Sequence, residues 1–203
     1  MKLYNSIGPN PRVVRMFMAE RGIDMPRQEI DLRGGENRQD AYLAKNPFGQ
    51  MPALELDDGT IVTEIIPICE YLDEIAPGAS LIGATAQERA ETRMWVRRLD
   101  LNIIEPLGCG FRFAEGLKLF QNRIHVIPQA AGDLKQIAQE WLRRLDAMMQ
   151  GKTWICGPRF TLADIFLFCF LEFGDGVGQP LNRDNRNIAA WFDRVKARPS
   201  TTA

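Results

Sequence analysis

The segment Asn46–Leu54 (NPFGQMPAL) is the most informative part of the chain, and Thr63–Leu72 (TEIIPICEYL) follows it closely. Met51-Pro52 stands directly before an apolar run that predicts a strand. A proline at that position removes one ladder donor and is compatible with a cis peptide bond. If the bond is cis, the N–H and C=O of Met51 face outward, where a bound peptide can pair with them as a short added strand.

Glu64 falls at the start of a predicted helix. The unsatisfied N–H groups and the positive dipole end of a helix N-terminus favour a carboxylate, and the Glu64 side chain can accept from an ammonium group. A ligand with an α-amino and an α-carboxylate group would suit this position. A plain cis-proline turn followed by a helix-capping glutamate is an equally good interpretation of these residues alone.

The first 78 residues predict the element order β-α-β-α-β-β-α. Pro11 suits the first turn of a helix, Gly22 is a natural C-terminal stop, and Asp58-Gly59 between two alternating runs is a strong hairpin signal. The predicted strands lie at 2–5, 28–32, 53–56 and 61–63, and the predicted helices start near Pro11, run around 41–43, and extend from Glu64 to about Ile75.

After Pro77–Ser80 the strand signals vanish. Thr85–Glu88 and Thr161–Asp164 have the form of capping boxes, which predict helix starts. Residues 134–149 follow the spacing of an amphipathic helix, 165–170 are apolar all round and predict a central buried helix, and 189–192 lie in a final helix. We therefore predict an α/β domain at 1–78, a linker at 79–84 and an all-α domain at 85–203.

Composition excludes several classes of protein. Among 203 residues, Lys and Arg number 25 against 26 Asp and Glu, so the chain lacks the basic field of a non-specific nucleic-acid binder. The longest apolar run, Ile165–Leu171, is far shorter than the roughly 20 residues of a spanning helix. The N-terminus shows no apolar signal region. We expect no nucleic-acid partner and no stable membrane insertion.

The cysteines point to a reducing compartment. None of the four lies in a C-x-x-C pair and each has apolar neighbours, which favours buried thiols over disulfides and predicts a cytoplasmic location. His125 is the single histidine and lies in a polar stretch, so we expect it on the surface and predict no metal site.

Together these segments resemble the cytosolic glutathione S-transferases over nearly the whole chain. The resemblance implies a thioredoxin-like N-terminal domain that binds glutathione as co-substrate, a C-terminal helical bundle, a hydrophobic electrophile bound between the domains, and a homodimer. It rests on Lys2-Leu3-Tyr4, Pro11–Arg15, Asn46–Pro52, Glu64 with Tyr71-Leu72, and Thr161–Asp164.

The resemblance also assigns roles to single residues around glutathione. Met51 would pair its backbone with the cysteinyl part, next to the cis-proline Pro52. Glu64 and the N–H of Ile65 would hold the γ-glutamyl end. Gln50 would lie near the glycyl end.

The remaining assignments are less specific. Arg38 or Lys45 would meet the glycyl carboxylate, and Asp164 would be structural, capping a buried helix through Thr161. An apolar wall with one arginine would receive the electrophile, although core packing explains most of these residues equally well: Ile104, Leu107, Phe111 and Arg112.

Two positions depart from the family's pattern. Family members usually place Ser after the Glu, and Ile65 here loses that hydrogen bond to the γ-glutamyl carboxylate, worth about 1.5–3 kcal/mol. In the loop before the first helix, the places of the usual Ser or Cys align with Gly8 and Asn10. The remaining donors for the thiolate are Asn10, Ser6 and Tyr4. We expect the Asn10 amide to stabilise the thiolate, together with N–H groups of the first helical turn. A purely turn-forming role for Asn10 before Pro11 fits the sequence equally well.

The sequence thus favours a glutathione-dependent transferase acting on a small apolar electrophile. A close variant would use the same site for disulfide reduction or dehalogenation. A different class, a binding or regulatory protein with little activity, is motivated by Ile65 and by the missing hydroxyl. Reversible membrane association is disfavoured because the first loop has no Cys.

Overall fold

A computed structural model describes residues 1–203, which divide into two compact units. The first unit comprises Met1–Ala84 together with Pro199–Ala203, and the second comprises Thr85–Arg198. The sequence-based division differs at both boundaries, since it treats 79–84 as a linker and assigns the last residues to the helical domain.

Hydrogen bonds within the first unit explain the difference. The Asp73 carboxylate accepts from the Ser80 hydroxyl and, at 2.9 Å, from the N–H of Leu81, so the segment after residue 78 is fastened to this unit. The Arg12 guanidinium donates to the carbonyl of Thr201 at 2.9 Å. Bonds across such sequence separations leave no periodic signal in the sequence.

The first unit has the predicted element order. Its sheet runs β2-β1-β3-β4, with β1 and β2 parallel and the other two pairings antiparallel. The elements are β1 (Lys2–Asn5), α1 (Pro9–Arg21), β2 (Arg27–Glu29), a 3-10 turn (Glu36–Arg38), α2 (Asp40–Leu43), β3 (Ala53–Glu55), β4 (Ile61–Thr63) and α3 (Ile65–Ile75).

β2 ends earlier than the predicted 28–32. The Asp31 carboxylate accepts the N–H groups of Arg33 and Gly34 at 2.9 and 2.8 Å, which turns the chain away from the sheet. α1 ends as predicted at Gly22, whose φ of 64° is the left-handed conformation that glycine adopts without steric cost.

The core of the first unit lies on both faces of the sheet because successive strand residues point to opposite sides. Leu3 is fully buried, as are Phe17 of α1 and Ile68 of α3, and α1 packs on α3. Tyr4 belongs to a second cluster with Tyr42, Met51, Ala53 and Ile30. The Tyr4 and Tyr42 rings meet edge to face, with centroids 6.0 Å apart.

The second unit is all helical, as predicted. Capping boxes open two of its helices, at Thr85 with Glu88 and at Thr161 with Asp164. The elements are α4 (Ala86–Leu99), a π-helical segment (Asp100–Ile104), α5 (Glu105–Arg112), α6 (Leu117–Phe120), a 3-10 turn (Pro128–Ala130), α7 (Ala131–Met148), α8 (Leu162–Gly176) and α9 (Arg186–Lys196).

Asp164 organises the start of α8, the buried central helix. Its carboxylate accepts the N–H groups of Thr161 and Ile155, each at 2.9 Å, and the indole N–H of Trp191 at 2.8 Å. Asp164 is fully buried, and this burial outweighs the hydrogen bonds and raises its pKa to about 6. The predicted structural role of Asp164 therefore extends beyond the cap to a loop and to α9.

The burial of the cysteines and the exposure of the histidine largely agree with the sequence-based prediction. Cys69, Cys156 and Cys169 are buried, Cys109 is half-buried, and all four are free thiols. His125 is exposed. None of the helices combines the length and the apolar composition that crossing a bilayer requires.

Candidate functional site

The register of the sheet brings three candidate segments to one end of the first unit. Tyr4 of β1 pairs with Ala53 of β3, and Ala53 pairs with Thr63 of β4. One residue further towards this end, the three strands continue into Asn5, Pro52 and Glu64. The loop before α1, the proline turn and the start of α3 are therefore neighbours.

The proline turn leaves the main-chain hydrogen-bonding groups of Met51 without a partner in the protein. The Met51-Pro52 peptide bond is cis. Met51 is only 5% exposed and packs in the Tyr4 cluster, whereas no hydrogen bond within the protein engages its N–H or C=O. A buried side chain with an unpaired backbone beside a sheet is the arrangement that accepts an extended peptide.

Three buried side chains hold the loop that leads into this turn. The Tyr42 hydroxyl and the Asn46 amide both donate to the Gln50 carbonyl, at 2.7 and 2.9 Å, and the Asn37 amide donates to the Gly49 carbonyl at 2.6 Å. We call Asn37, Tyr42 and Asn46 the loop clamp. The Gln50 side chain is exposed.

Glu64 adopts an uncommon backbone conformation at the cap position of α3. Its φ of 70° and ψ of 139° are strained for a residue with a Cβ, at a cost of roughly 1–3 kcal/mol. Its side chain is exposed and forms no hydrogen bond or ion pair within the protein. The N–H groups of Ile65 and Ile66 precede the first α3 bond, from Ile68 to the Glu64 carbonyl, and so have no helical acceptor.

Asn10 is the second residue of α1. Pro9 and Pro11 flank it and have no N–H, and the N–H of Arg12 reaches the Gly8 carbonyl at 3.4 Å. The first turn therefore offers one uncommitted N–H, that of Asn10, instead of the several that we expected. The Asn10 side chain is half-exposed, and its amide makes no hydrogen bond within the protein.

The two hydroxyls considered beside Asn10 already donate inside the protein. Ser6 is 4% exposed and donates to the Ile30 carbonyl at 2.6 Å. Tyr4 is 1% exposed and donates to Glu55, and this bond, together with the Lys45 ammonium, lowers the pKa of the Glu55 carboxyl. The geometry argues against Ser6 and Tyr4 as thiolate donors, because an O–H has a single proton to donate.

The structure distinguishes Lys45 from Arg38 as the possible basic partner of a glycyl carboxylate. The Lys45 ammonium lies 3.2 Å from the Glu55 carboxylate and 5.3 Å from the centroid of the Tyr4 ring. Arg38 is exposed, and its guanidinium contacts the loop only through a long 3.4 Å bond to the Phe48 carbonyl. Arg38 is thus the basic group that remains available beside this loop.

The residues named for the electrophile wall divide into two pairs. Ile104 and Leu107 are 4% and 1% exposed, so their side chains offer almost no surface to a ligand and belong to the core. Phe111 and Arg112 are half-buried. The Arg112 guanidinium is paired with the Glu105 carboxylate at 3.1 Å.

Comparison with known proteins places this geometry in a family. The family model for the N-terminal domain of glutathione S-transferase matches residues 7–75, and that for the C-terminal domain matches residues 128–199. Glutathione S-transferase 2 of Saccharomyces cerevisiae is 31% identical over 200 residues, which cover 95% of this chain and 84% of the yeast protein. Glutathione S-transferase GstA of Escherichia coli O157:H7 is 32% identical over 207 residues, covering 98% and 94%.

Comparison with solved structures leads to the same family. The crystal structure of a glutathione S-transferase domain-containing protein from Marinobacter aquaeolei VT8 matches with a TM-score of 0.93 at 34% identity, covering 99% of this chain and 100% of that one. The thioredoxin-like sheet, the helical second unit and these full-length matches lead to one conclusion: the chain belongs to the glutathione S-transferase family of glutathione-dependent transferases.

Proposed function

We propose that this chain binds glutathione at the end of the sheet formed by Asn5, Pro52 and Glu64, and adds the glutathione thiolate to a small apolar electrophile. The observation that carries the proposal is the unpaired Met51 backbone beside Glu64, whose carboxylate is exposed and without a partner. A tripeptide with a free α-amino and α-carboxylate group complements both features.

Each of the three residues of glutathione has a complementary group in the proposed site. The Met51 N–H and C=O pair with the cysteinyl residue beside Pro52. Glu64 accepts from the α-ammonium of the γ-glutamyl end, and the Ile65 N–H donates to its carboxylate. The Gln50 side chain and the Arg38 guanidinium contact the glycyl end, where Arg38 supplies the positive charge.

Asn10 stabilises the thiolate in this proposal. A free thiol with a pKa near 8.5 is only a few per cent ionised at neutral pH. The Asn10 residue can offer two donors, its side-chain amide and its N–H. A hydrogen bond to a charged group contributes about 1.5–3 kcal/mol, and each pH unit in pKa corresponds to about 1.4 kcal/mol. One bond from Asn10 therefore lowers the thiol pKa by about one to two.

Further parts of the proposal concern the second substrate and the assembly. Phe111, half-exposed and apolar, is the remaining wall residue that can contact an apolar electrophile, since the Arg112 guanidinium is already paired with the Glu105 carboxylate. We also propose a homodimer and a cytoplasmic location. The family membership supports these statements, and the free thiols of all four cysteines support the reducing compartment.

Calorimetric titration with glutathione, with ultraviolet absorbance recorded to report the thiolate, tests the proposal. We expect micromolar to millimolar affinity and a thiolate signal at neutral pH, followed by turnover in a screen of apolar electrophiles. Absence of binding would refute the proposed site.

A binding or regulatory role is the second candidate, and two observations favour it. Ile65 has no hydroxyl for the γ-glutamyl carboxylate, and the α1 turn has one uncommitted N–H instead of several. Glutathione binding without a thiolate signal and without electrophile turnover would support this role. Turnover of a disulfide under the same conditions would instead support a glutathione-dependent reductase.

A further inference from the structure

We propose that Tyr42 is a positioning residue for glutathione: its hydroxyl, with the Asn46 amide, fixes the direction of the Met51 N–H by holding the Gln50 carbonyl. The inference rests on the proposed function for its consequence in binding, but its structural part can be tested without glutathione. Tyr42 touches no proposed ligand group and acts only through the main chain.

Peptide geometry connects the clamp to the site. The Gln50 carbonyl and the Met51 N–H are the two ends of one planar peptide unit, and this unit is trans, since the cis bond is the following one. Fixing the direction of the Gln50 oxygen therefore fixes the direction of the Met51 N–H. Two donors on one carbonyl, at 2.7 and 2.9 Å, restrain rotation of the peptide plane more than one donor would.

Little else holds this loop in place. Pro47, Phe48 and Gln50 are exposed, and the Phe48 side chain is 75% accessible, so apolar burial does not anchor the segment. In contrast, Tyr42 and Asn46 are 3% and 2% exposed, and both direct their polar groups at the loop main chain. Hydrogen bonds, from the clamp side chains and from the Gly49 N–H to the Asn46 carbonyl at 2.8 Å, are thus the main restraint on the residues before Met51.

The Tyr42 hydroxyl remains a donor over a wide pH range. Its burial raises the pKa of Tyr42 to about 12, so the phenol stays protonated wherever glutathione chemistry is measured. The hydrogen bond to Gln50 consequently does not weaken as the glutathione thiol ionises.

The test compares Tyr42→Phe with Tyr4→Phe. Both substitutions remove one hydroxyl from the same buried cluster and keep the edge-to-face ring pair, but the Tyr4 hydroxyl donates to Glu55 and not to the loop. We expect Tyr42→Phe to raise the KM and Kd for glutathione about three- to tenfold, the equivalent of one neutral hydrogen bond, with kcat within twofold of wild type. Tyr4→Phe should leave both constants within twofold.

Hydrogen exchange without ligand supplies the independent readout. The Gly49 amide, whose N–H donates to the Asn46 carbonyl at 2.8 Å, should exchange several-fold faster in Tyr42→Phe than in wild type or Tyr4→Phe. Equal exchange and equal affinity in the two variants, or a loss confined to kcat, would overturn the positioning role. If the wild type binds no glutathione, the proposed function fails while the exchange comparison still decides whether the clamp holds the loop.

A second variant covers the case in which Tyr42→Phe does not fold. Asn46→Ser keeps an oxygen that can accept from the Phe48 N–H, as Asn46 does at 3.2 Å, but it is too short to donate to Gln50. We expect the same rise in the KM for glutathione and the same faster exchange. An Asn46→Ser protein that folds with wild-type exchange at Gly49 would contradict the inference.

Discussion

The Arg21 guanidinium and the Asp73 carboxylate form an ion pair that is almost completely buried, with Nε 3.0 Å from Oδ1 and side-chain exposures of 4% and 6%. The same guanidinium donates to the carbonyls of Asp73 and Ala76, at 3.2 and 2.8 Å. Arg21 thereby ties the end of α1 to the end of α3. Asp73 in turn holds Leu81, so the pair anchors the last segment of the first unit.

Loss of the buried cation should be costly. Arg21→Met should lower the free energy of unfolding by about 3–5 kcal/mol, because it leaves Asp73 charged and buried without its partner. Urea denaturation of the full chain measures the change. Arg183→Met is the matched control, since Arg183 pairs with Asp193 at 2.9 Å but both side chains are more than half exposed, and its cost should stay below about 1 kcal/mol. If both variants lost the same free energy of unfolding, the buried pair would contribute no more than the exposed one, contrary to this prediction.

The stability of the helical unit should depend on the protonation of Asp164. The pKa of this carboxyl is about 6 in the folded protein against an ordinary 3.8, so the folded state binds the proton more tightly. The stabilisation is fully present below pH 4 and is lost as the pH rises through 6. Relative to Asp164→Asn, which does not titrate, wild type should gain about 1.3 kcal/mol between pH 7 and pH 5.

Thermal or urea unfolding at the two pH values measures this difference. Asp164→Asn should itself be less stable at both, because the new NH₂ group faces the N–H of Thr161 and cannot accept from it. A stability difference that stays constant or shrinks on acidification would show that the pKa of the buried carboxyl is not raised.

Asn10→Ala should raise the pKa of bound glutathione. Removing the side-chain amide costs one charge-assisted bond, so the thiol pKa should rise by about one to two, and turnover at neutral pH should fall about tenfold or more. Ultraviolet titration of the thiolate measures the pKa directly. Asn122→Ala, at an exposed position outside the first unit, is the control and should change neither quantity. An unchanged pKa in Asn10→Ala would remove Asn10 from the proposed mechanism.

Ile65→Ser should strengthen glutathione binding. The new hydroxyl would stand beside the proposed γ-glutamyl carboxylate and add a hydrogen bond to a charged acceptor, which corresponds to about a tenfold lower Kd. Ile66→Ser is the matched control, since Ile66 is the next residue of the same helical turn and is also half-buried. Calorimetry of the two variants distinguishes a specific gain from a general effect of adding Ser to α3. A gain in both, or in neither, would place the γ-glutamyl group elsewhere.

The sequence predicts the local features of this protein well. The β3–β4 hairpin, the stop of α1 at Gly22 and the capping box at Thr161 each depend on residues a few positions apart, and each is present in the structure. These features follow from local sterics and local hydrogen bonds, which a short segment contains in full. The cis bond before Pro52 is also present, but the residues alone left it open and the family resemblance implied it.

Hydrogen bonds that link separate elements or loops were not predictable. Nothing near Tyr42 in the sequence indicates that its hydroxyl reaches the Gln50 carbonyl, and nothing near Asp164 indicates the bond from Trp191. The commitment of the Ser6 hydroxyl to Ile30 depends on the pairing of β1 with β2. In each case a side chain finds its acceptor through the tertiary fold, and the sequence specifies only that a donor exists.

The two prolines that flank Asn10 have a consequence for how this protein can change. A helix that begins with several free N–H groups retains its attraction for an anion whatever side chains it carries. In α1 that attraction has been reduced to the groups of a single residue. In the proposed site, residue 10 therefore sets the reactivity of the glutathione thiol. Substitutions at this position would change the pKa of the thiol while the helix start, which the prolines define, stays the same.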